Sequence, residues 1–182
     1  RRVTLPMSMP GVLAGTLMDY VASITYRNPV SPMVDHATEQ SHQQRLIGFR
    51  CPVCERVYVG GRGMCPIDAV EFDLDHAVDL PHTGTITNFV VITPVQYPGQ
   101  TETEPFARVF VLLDDSHVIL GYQPVIELPV GDVKVGKRVV AVWASPGELT
   151  DSGGRVDLGA LIGWMPSGEP DVDDPDLVNR IF

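Results

Sequence analysis

The chain has 182 residues, of which 44% are hydrophobic, with a formal net charge of −10 and a sequence pI of about 4.7. This length suits one ordinary domain or two small ones, and the apolar share suffices for a core. The negative charge opposes contact with phosphate backbones, which depends on Lys and Arg, so nucleic-acid binding is disfavoured.

The distribution of apolar residues and cysteines predicts where the protein resides. No apolar run approaches the ~18 residues of a transmembrane helix, and the first residues lack the apolar stretch of a signal peptide. Three clustered cysteines indicate metal or redox chemistry and do not suit a secreted disulfide framework. We therefore expect no membrane contact and a location in the reducing cytoplasm.

Residues 1–45 are predicted to form an N-terminal helical segment. An apolar stretch over residues 12–24 places five side chains on one helical face: Leu13, Leu17, Tyr20, Val21 and Ile24. This face either covers its own domain or docks on another chain. The polar stretch from His36 to Arg45 is expected to be a short helix or loop.

Residues 46–75 have the layout of a rubredoxin-like zinc ribbon. A strand over Leu46–Arg50 runs into the first cysteine, a second strand covers Val57–Val59, and Gly60–Gly63 forms a turn before the last cysteine. Each short loop that carries a pair of candidate ligands, Cys51–Cys54 and Cys65–Asp68, is called a knuckle. The order strand, knuckle, strand, turn, knuckle is typical of ribbons that hold a metal ion between two such loops.

The ribbon carries a candidate structural metal site. Two loops open with Cys-Pro, and they supply four potential ligands: Cys51, Cys54, Cys65 and Asp68. Asp68 stands where a ribbon normally has cysteine, and a carboxylate is a possible zinc ligand. His36 or His42 would replace it only if the preceding segment folded back. The alternative is a metal-free ribbon held by packing; a redox pair fits less well because no βαβ pattern surrounds it.

Residues 76–165 are predicted to form a five-stranded Greek-key barrel of the OB type. Short runs rich in Val, Ile, Leu and aromatics are bounded by Gly, Pro or Asp, with no long helical interruption. The predicted strands cover residues 84–94, 106–113, 118–125, 138–145 and 158–164. The fold class is therefore mainly β, with the helical segment and the ribbon preceding the barrel.

Residues 166–182 form an acidic C-terminal tail. Five acids stand against one base, Arg180: Glu169, Asp171, Asp173, Asp174 and Asp176. We expect a solvated, weakly ordered tail. The alternative is an ordered arm, ending in Leu177-Val178 and Ile181-Phe182, that docks on a partner.

No catalytic constellation is evident in the sequence. There is no Gly-x-Ser-x-Gly elbow, phosphate loop or His-Glu-x-x-His motif. The five histidines have no obvious nucleophile beside them, and every cysteine belongs to the ribbon. We therefore predict no catalytic residues and no catalysis by this chain alone.

The motifs together resemble a known family, the DUF35 proteins, which combine a zinc ribbon with an OB-fold. The resemblance covers roughly residues 36–165, and it departs from the family at Asp68 and at Gly60-Gly61. It is carried by four stretches: Arg50–Cys54, Cys65-Pro66, Thr83–Phe89 and Val135–Val139.

The resemblance implies an accessory role in acyl-CoA chemistry. DUF35 proteins are encoded beside thiolase-like enzymes that act on acyl-CoA thioesters, and they bind these enzymes. Met18–Val21 and Gly163–Asp171 look like actinobacterial members linked to steroid side-chain breakdown. There the partner is a thiolase-like, SCP2-type subunit that acts as a retro-aldolase on a steroid-CoA thioester. We expect a heterotetramer with two copies of each chain.

The same resemblance implies a bound CoA thioester near the junction with the partner. Arg62 and Arg108 are the candidate phosphate ligands on this chain, because guanidinium groups pair with phosphates in bidentate fashion. Each is alternatively a surface or structural arginine. The competing functional hypothesis is a free-standing OB-fold module for single-stranded nucleic acid, which would need a basic groove.

Overall fold

The computed structural model describes residues 29–94, 103–145, 160–174 and 176–177. It is mainly β, with a helix, a three-stranded sheet and a five-stranded sheet, which confirms the predicted fold class. The predicted apolar helix around residues 12–24 and the chain end at Ile181-Phe182 lie outside the described residues. Within the described ranges, no helix is long and apolar enough to cross a membrane.

Helix α1 (Pro32–His42) leads into the ribbon and packs against its turn. Ser31 caps the helix by accepting a hydrogen bond from the Val34 N–H at 3.3 Å, and Pro32 stands in the first turn, where its missing N–H costs nothing. A Cβ on Gly61 would lie 2.7 Å from the Val34 Cα, and Gly61 has a φ of +69°. Only glycine therefore allows the turn to approach the helix so closely.

The ribbon sheet contains strands β1 (Leu46–Arg50), β2 (Val57–Val59) and β3 (Ala77–Leu80), in the order β2-β1-β3 with antiparallel neighbours. The first two strands were predicted. The third was not, because its short run lies among acidic residues and is held by pairing with β1, far away in sequence. The predicted boundary at residue 75 stays a prediction, although β3 extends the ribbon sheet beyond it.

The barrel contains strands β4 (Thr83–Ile92), β5 (Phe106–Leu113), β6 (Ile119–Pro124), β7 (Arg138–Trp143) and β8 (Leu161–Pro166). All five strands were predicted, with differences only at their ends. Their order is β6-β5-β4-β7-β8, and all paired neighbours are antiparallel.

The two edges of this sheet meet and close it. A parallel bridge joins Val125, directly after β6, to Trp164 of β8, and the Ile126 N–H donates to the Trp164 carbonyl oxygen at 2.7 Å. An antiparallel five-stranded sheet closed by parallel contact between its third and fifth strands has the topology of an OB barrel.

The barrel and the ribbon share one hydrophobic core. Barrel side chains such as Ile86, Val109 and Trp164 are fully buried, and the same cluster includes Leu46 and Val57 of the ribbon. The loop between β5 and β6 adds a polar link, since the His117 N–H donates to the Val57 carbonyl oxygen at 3.0 Å and His117 Nδ1 accepts from the Val57 N–H at 3.2 Å. The barrel and the ribbon are therefore joined by both apolar packing and hydrogen bonds.

The described part of the C-terminal tail is largely exposed, as expected, but it is held against the barrel by ion pairs and is not the weakly ordered tail that we predicted. Arg138 pairs with Asp114 at 2.7 Å and with Glu169 at 2.8 Å. Asp171 pairs with Lys134 at 3.0 Å, and that contact lowers the pKa of its carboxyl group. Two acids of the tail, Glu169 and Asp171, thus pair with bases that lie about 35 residues earlier in the chain, which charge counting within the tail did not reveal.

Candidate metal centre

The first knuckle, Cys51 to Cys54, is closed by backbone hydrogen bonds. The Cys51 N–H donates to the Arg56 carbonyl oxygen at 2.8 Å, and the Glu55 N–H donates to the Cys51 carbonyl oxygen at 3.0 Å. Glu55 has a φ of 59°, in the left-handed region. This reverses the chain, so both cysteine side chains face the same side of the loop.

The second knuckle repeats this geometry residue by residue. The Cys65 N–H donates to the Val70 carbonyl oxygen at 2.8 Å, the Ala69 N–H donates to the Cys65 carbonyl oxygen at 3.0 Å, and Ala69 has a φ of 53°. Asp68 therefore occupies the place in the second loop that Cys54 occupies in the first. The backbone supports Asp68 as the fourth ligand position, as the spacing predicts.

The four side chains converge to form a cluster that can hold a metal ion. The three sulfurs and one carboxylate oxygen all lie within 4.8 Å of one another. Cys54 Sγ is 3.7 Å from Cys65 Sγ, and Asp68 Oδ2 is 3.2 Å from Cys51 Sγ and 3.3 Å from Cys65 Sγ. No histidine belongs to this cluster within the described residues.

These separations match those of a tetrahedral site. Zinc–sulfur bonds of about 2.3 Å place two sulfurs about 3.8 Å apart, and a zinc–oxygen bond of about 2.0 Å places oxygen and sulfur about 3.5 Å apart. The contact between Cys54 Sγ and Cys65 Sγ, at 3.7 Å, already has nearly this value, and the two oxygen–sulfur contacts, at 3.2 and 3.3 Å, would lengthen only slightly around an ion. Four ligands fill a tetrahedron, so the donor set fits a structural ion and leaves no open position for substrate.

Hydrogen bonds among the ligands shift the pKa values of Asp68 and Cys54. The thiols of Cys54, Cys51 and Cys65 hydrogen-bond to Asp68 and hold the pKa of that carboxyl below its usual range. The same contact with Asp68, aided by desolvation, raises the pKa of Cys54 to about 11. A divalent cation would displace these protons, because only the thiolate binds metal.

An aromatic cluster supports the metal centre. Phe72 stacks on Phe49 with ring centroids 6.2 Å apart and lies 5.9 Å from the ring of Tyr58. Tyr58 is fully buried, and its hydroxyl lies 3.3 Å from Cys65 Sγ. Sequence reasoning took Tyr58 only as a strand residue. The sequence did offer one signal for such a role: Tyr58 follows Cys54 by four residues, in the strand that leaves the first knuckle.

The two arginines proposed as phosphate ligands lie on different elements. Arg62 is exposed on the ribbon turn. Arg108 lies on β5, where its guanidinium is 5.7 Å from the centre of the Phe106 ring and 5.1 Å from that of Tyr122, and donates to the Tyr122 carbonyl oxygen at 3.0 Å. No hydrogen bond or ion pair brings the two together in the described part of the chain.

Substitutions at Asp68 test its place in the ligand set. We expect Asp68→Ala to weaken zinc retention and Asp68→Cys to strengthen it, because the second restores a four-thiolate set at a position with the backbone geometry of Cys54. Competition with a chromophoric chelator measures the retention. Equal retention in the parent and both variants would show that Asp68 is not a ligand.

Comparison with known proteins identifies solved structures that share this fold. No protein-family model and no curated protein matches the chain. Among solved structures, the Ltp2-ChsH2(DUF35) aldolase is 19% identical, with a TM-score of 0.55, and the match covers 77% of this chain and 98% of that chain. A DUF35 protein of unknown function from Sulfolobus solfataricus is 18% identical, with a TM-score of 0.50, over 61% of this chain and 78% of that one. The chain shares the fold of these DUF35 structures, which supports the identification made from its motifs.

Proposed function

We propose that this chain, which has the fold of the DUF35 structures, is a non-catalytic accessory subunit of a thiolase-fold enzyme acting on acyl-CoA thioesters. One observation carries the proposal: the structural match covers 98% of the chain of the Ltp2-ChsH2(DUF35) aldolase. Following the motif resemblance, we further propose that the partner is a thiolase-like aldolase subunit and that the substrate is a steroid side-chain CoA thioester. The chain would stabilise that partner and assist CoA binding.

In this role the metal centre is structural and holds zinc. Three thiolates favour zinc over the hard cations, which prefer oxygen ligands. Cys51, Cys54, Cys65 and Asp68 would hold the ion and tie the two knuckles together. The ion would supply folding energy where the ribbon otherwise has two short strands and two loops. The outward ends of the knuckles expose Val53 and Ile67, at 64% and 44% of their full surface, on a scaffold that the ion would keep rigid.

A second function is supported by a specific surface. Strands β5 and β6 are the second and third strands of the barrel, the face on which OB-folds bind oligonucleotides. Phe106, Phe110, Tyr122 and Arg108 cluster there, with Phe110 and Tyr122 ring centroids 5.6 Å apart. Single-stranded nucleic acid stacks on such rings, but it also needs a basic groove. The net charge of −10 makes this the weaker candidate.

Co-expression with the thiolase-like aldolase subunit tests the accessory role. We expect the two proteins to elute together in size-exclusion chromatography, with a light-scattering mass equal to two copies of each chain. Elution of the two proteins as separate peaks, each with the mass of its own chain, would contradict the proposal. Salt-sensitive binding of single-stranded DNA by the isolated chain would favour the second function.

Alanine substitutions test the contribution of the two arginines to CoA binding. In the assembled complex, we expect Arg62→Ala and Arg108→Ala to raise the apparent KM for the thioester while leaving subunit association intact, because each removes a guanidinium that can pair with phosphate. Steady-state kinetics with the CoA thioester measures the change. If both variants match the parent, the phosphate contacts belong to the partner and the role of this chain is scaffolding.

A further inference from the structure

The Tyr58 hydroxyl is a polar group in a fully buried position. Tyr58 lies on β2, paired with Phe49 of β1, and has no exposed surface. Its hydroxyl lies 3.3 Å from Cys65 Sγ and 4.0 Å from Cys54 Sγ. A buried tyrosine normally gives its hydroxyl a hydrogen-bond partner. Here the partners are sulfur atoms of two proposed metal ligands, one from each knuckle.

The charge of the ligand set gives this hydroxyl a role. A divalent ion with three thiolates and one carboxylate carries a net charge of −2. Cys51 and Cys65 are completely buried, so water screens that charge poorly. Hydrogen bonds donated to the sulfurs offset it. The Val53 N–H donates to Cys51 Sγ, and the Asp68 N–H donates to Cys65 Sγ, both at 3.4 Å.

We propose that Tyr58 is a positioning residue of the metal centre, whose O–H donates to the Cys65 thiolate when the ion is bound. This inference rests on the proposed metal centre and assigns Tyr58 a role that packing alone does not require. The ring is fixed by β1 pairing and by Phe72, so the hydroxyl is held in place before the ion arrives. Removing groups that orient metal ligands from outside the coordination sphere typically lowers metal affinity or activity about 10- to 100-fold.

Tyr58→Phe in the full chain removes the hydroxyl and keeps the ring. We expect zinc affinity, measured by competition with a chromophoric chelator, to fall about 10- to 100-fold. In the Co²⁺-loaded variant, the thiolate-to-cobalt charge-transfer band should move to lower energy, because a thiolate without its hydrogen bond gives up electron density more readily. The matched control is Tyr122→Phe, which removes a hydroxyl from an exposed ring on the barrel and should change neither quantity.

The outcomes separate this inference from the metal centre itself. A parent chain that binds no zinc overturns both. A parent that binds zinc, with Tyr58→Phe equal to it in affinity and in charge-transfer energy, overturns the role of Tyr58 alone. If Tyr58→Phe does not fold, the ¹¹³Cd-loaded parent decides by NMR: a hydroxyl proton coupled to ¹¹³Cd supports the hydrogen bond, and a Tyr58 hydroxyl without coupling contradicts it.

Discussion

Cys54→Ser is expected to abolish tight zinc binding and to unfold the ribbon under conditions in which the parent chain stays folded. Structural zinc contributes about 10–16 kcal/mol of folding free energy in zinc-finger peptides, so losing even a third of it would remove about 3–5 kcal/mol, a large part of the ~5–15 kcal/mol that stabilises a domain. Cys54 Sγ lies 3.7 Å from Cys65 Sγ, so the loss of this thiol removes a ligand that connects the first knuckle to the second. Metal analysis and thermal unfolding measure the two effects.

The matched control for this substitution is Val53→Ser in the same knuckle. Val53 is 64% exposed and is not a member of the ligand cluster, so zinc content and stability should stay close to those of the parent. Chelator treatment of the parent should reproduce the effect of Cys54→Ser. A parent that carries no zinc and remains fully folded with chelator would show that packing alone holds the ribbon.

Trp164→Ala is expected to lower the free energy of unfolding by about 3–5 kcal/mol, because truncating a buried aromatic leaves a cavity that its neighbours fill only partly. Trp164 has no exposed surface and lies where β8 meets the end of β6. Its indole nitrogen has no hydrogen-bond partner among the described residues, so the expected loss comes from packing and not from a broken hydrogen bond. Denaturant unfolding measures the loss, provided that the parent and the variant show the same m-value.

Ile162→Ala on the same strand is the control for the barrel. Ile162 is 45% exposed, and we expect its truncation to cost less than about 1 kcal/mol. The ratio between the losses in unfolding free energy of the two variants shows whether the closed barrel buries Trp164. Equal, small losses in both variants would contradict the closure of the barrel through β6 and β8.

The parts of the fold that are local in sequence could be predicted. Cys-Pro spacing gave both knuckles and placed Asp68 beside the three cysteines, because a knuckle is a loop of a few residues with its own hydrogen bonds. The barrel strands are runs of β-branched and aromatic residues with clear boundaries. These features depend on neighbours along the chain, so the sequence alone carries them.

The parts that depend on distant partners could not be predicted. Strand β3 exists because β1 offers it hydrogen bonds, and the tail is bound because Lys134 and Arg138 meet its acids. Tyr58 looked like any strand aromatic until the fold brought its hydroxyl to Cys65. The contacts of β3 and of the tail join segments far apart in sequence, so no periodicity or spacing predicts them. The contact between Tyr58 and Cys65 had only one signal in the sequence, the spacing of Tyr58 from Cys54.

The proposed accessory role is tested most directly by retro-aldol turnover of the proposed substrate, a steroid side-chain CoA thioester, measured for the proposed thiolase-like partner alone, for this chain alone and for the two together. We predict no turnover by this chain alone and a large gain when it joins its partner. Retro-aldol cleavage by the isolated chain, or full activity of the partner without it, would contradict the account.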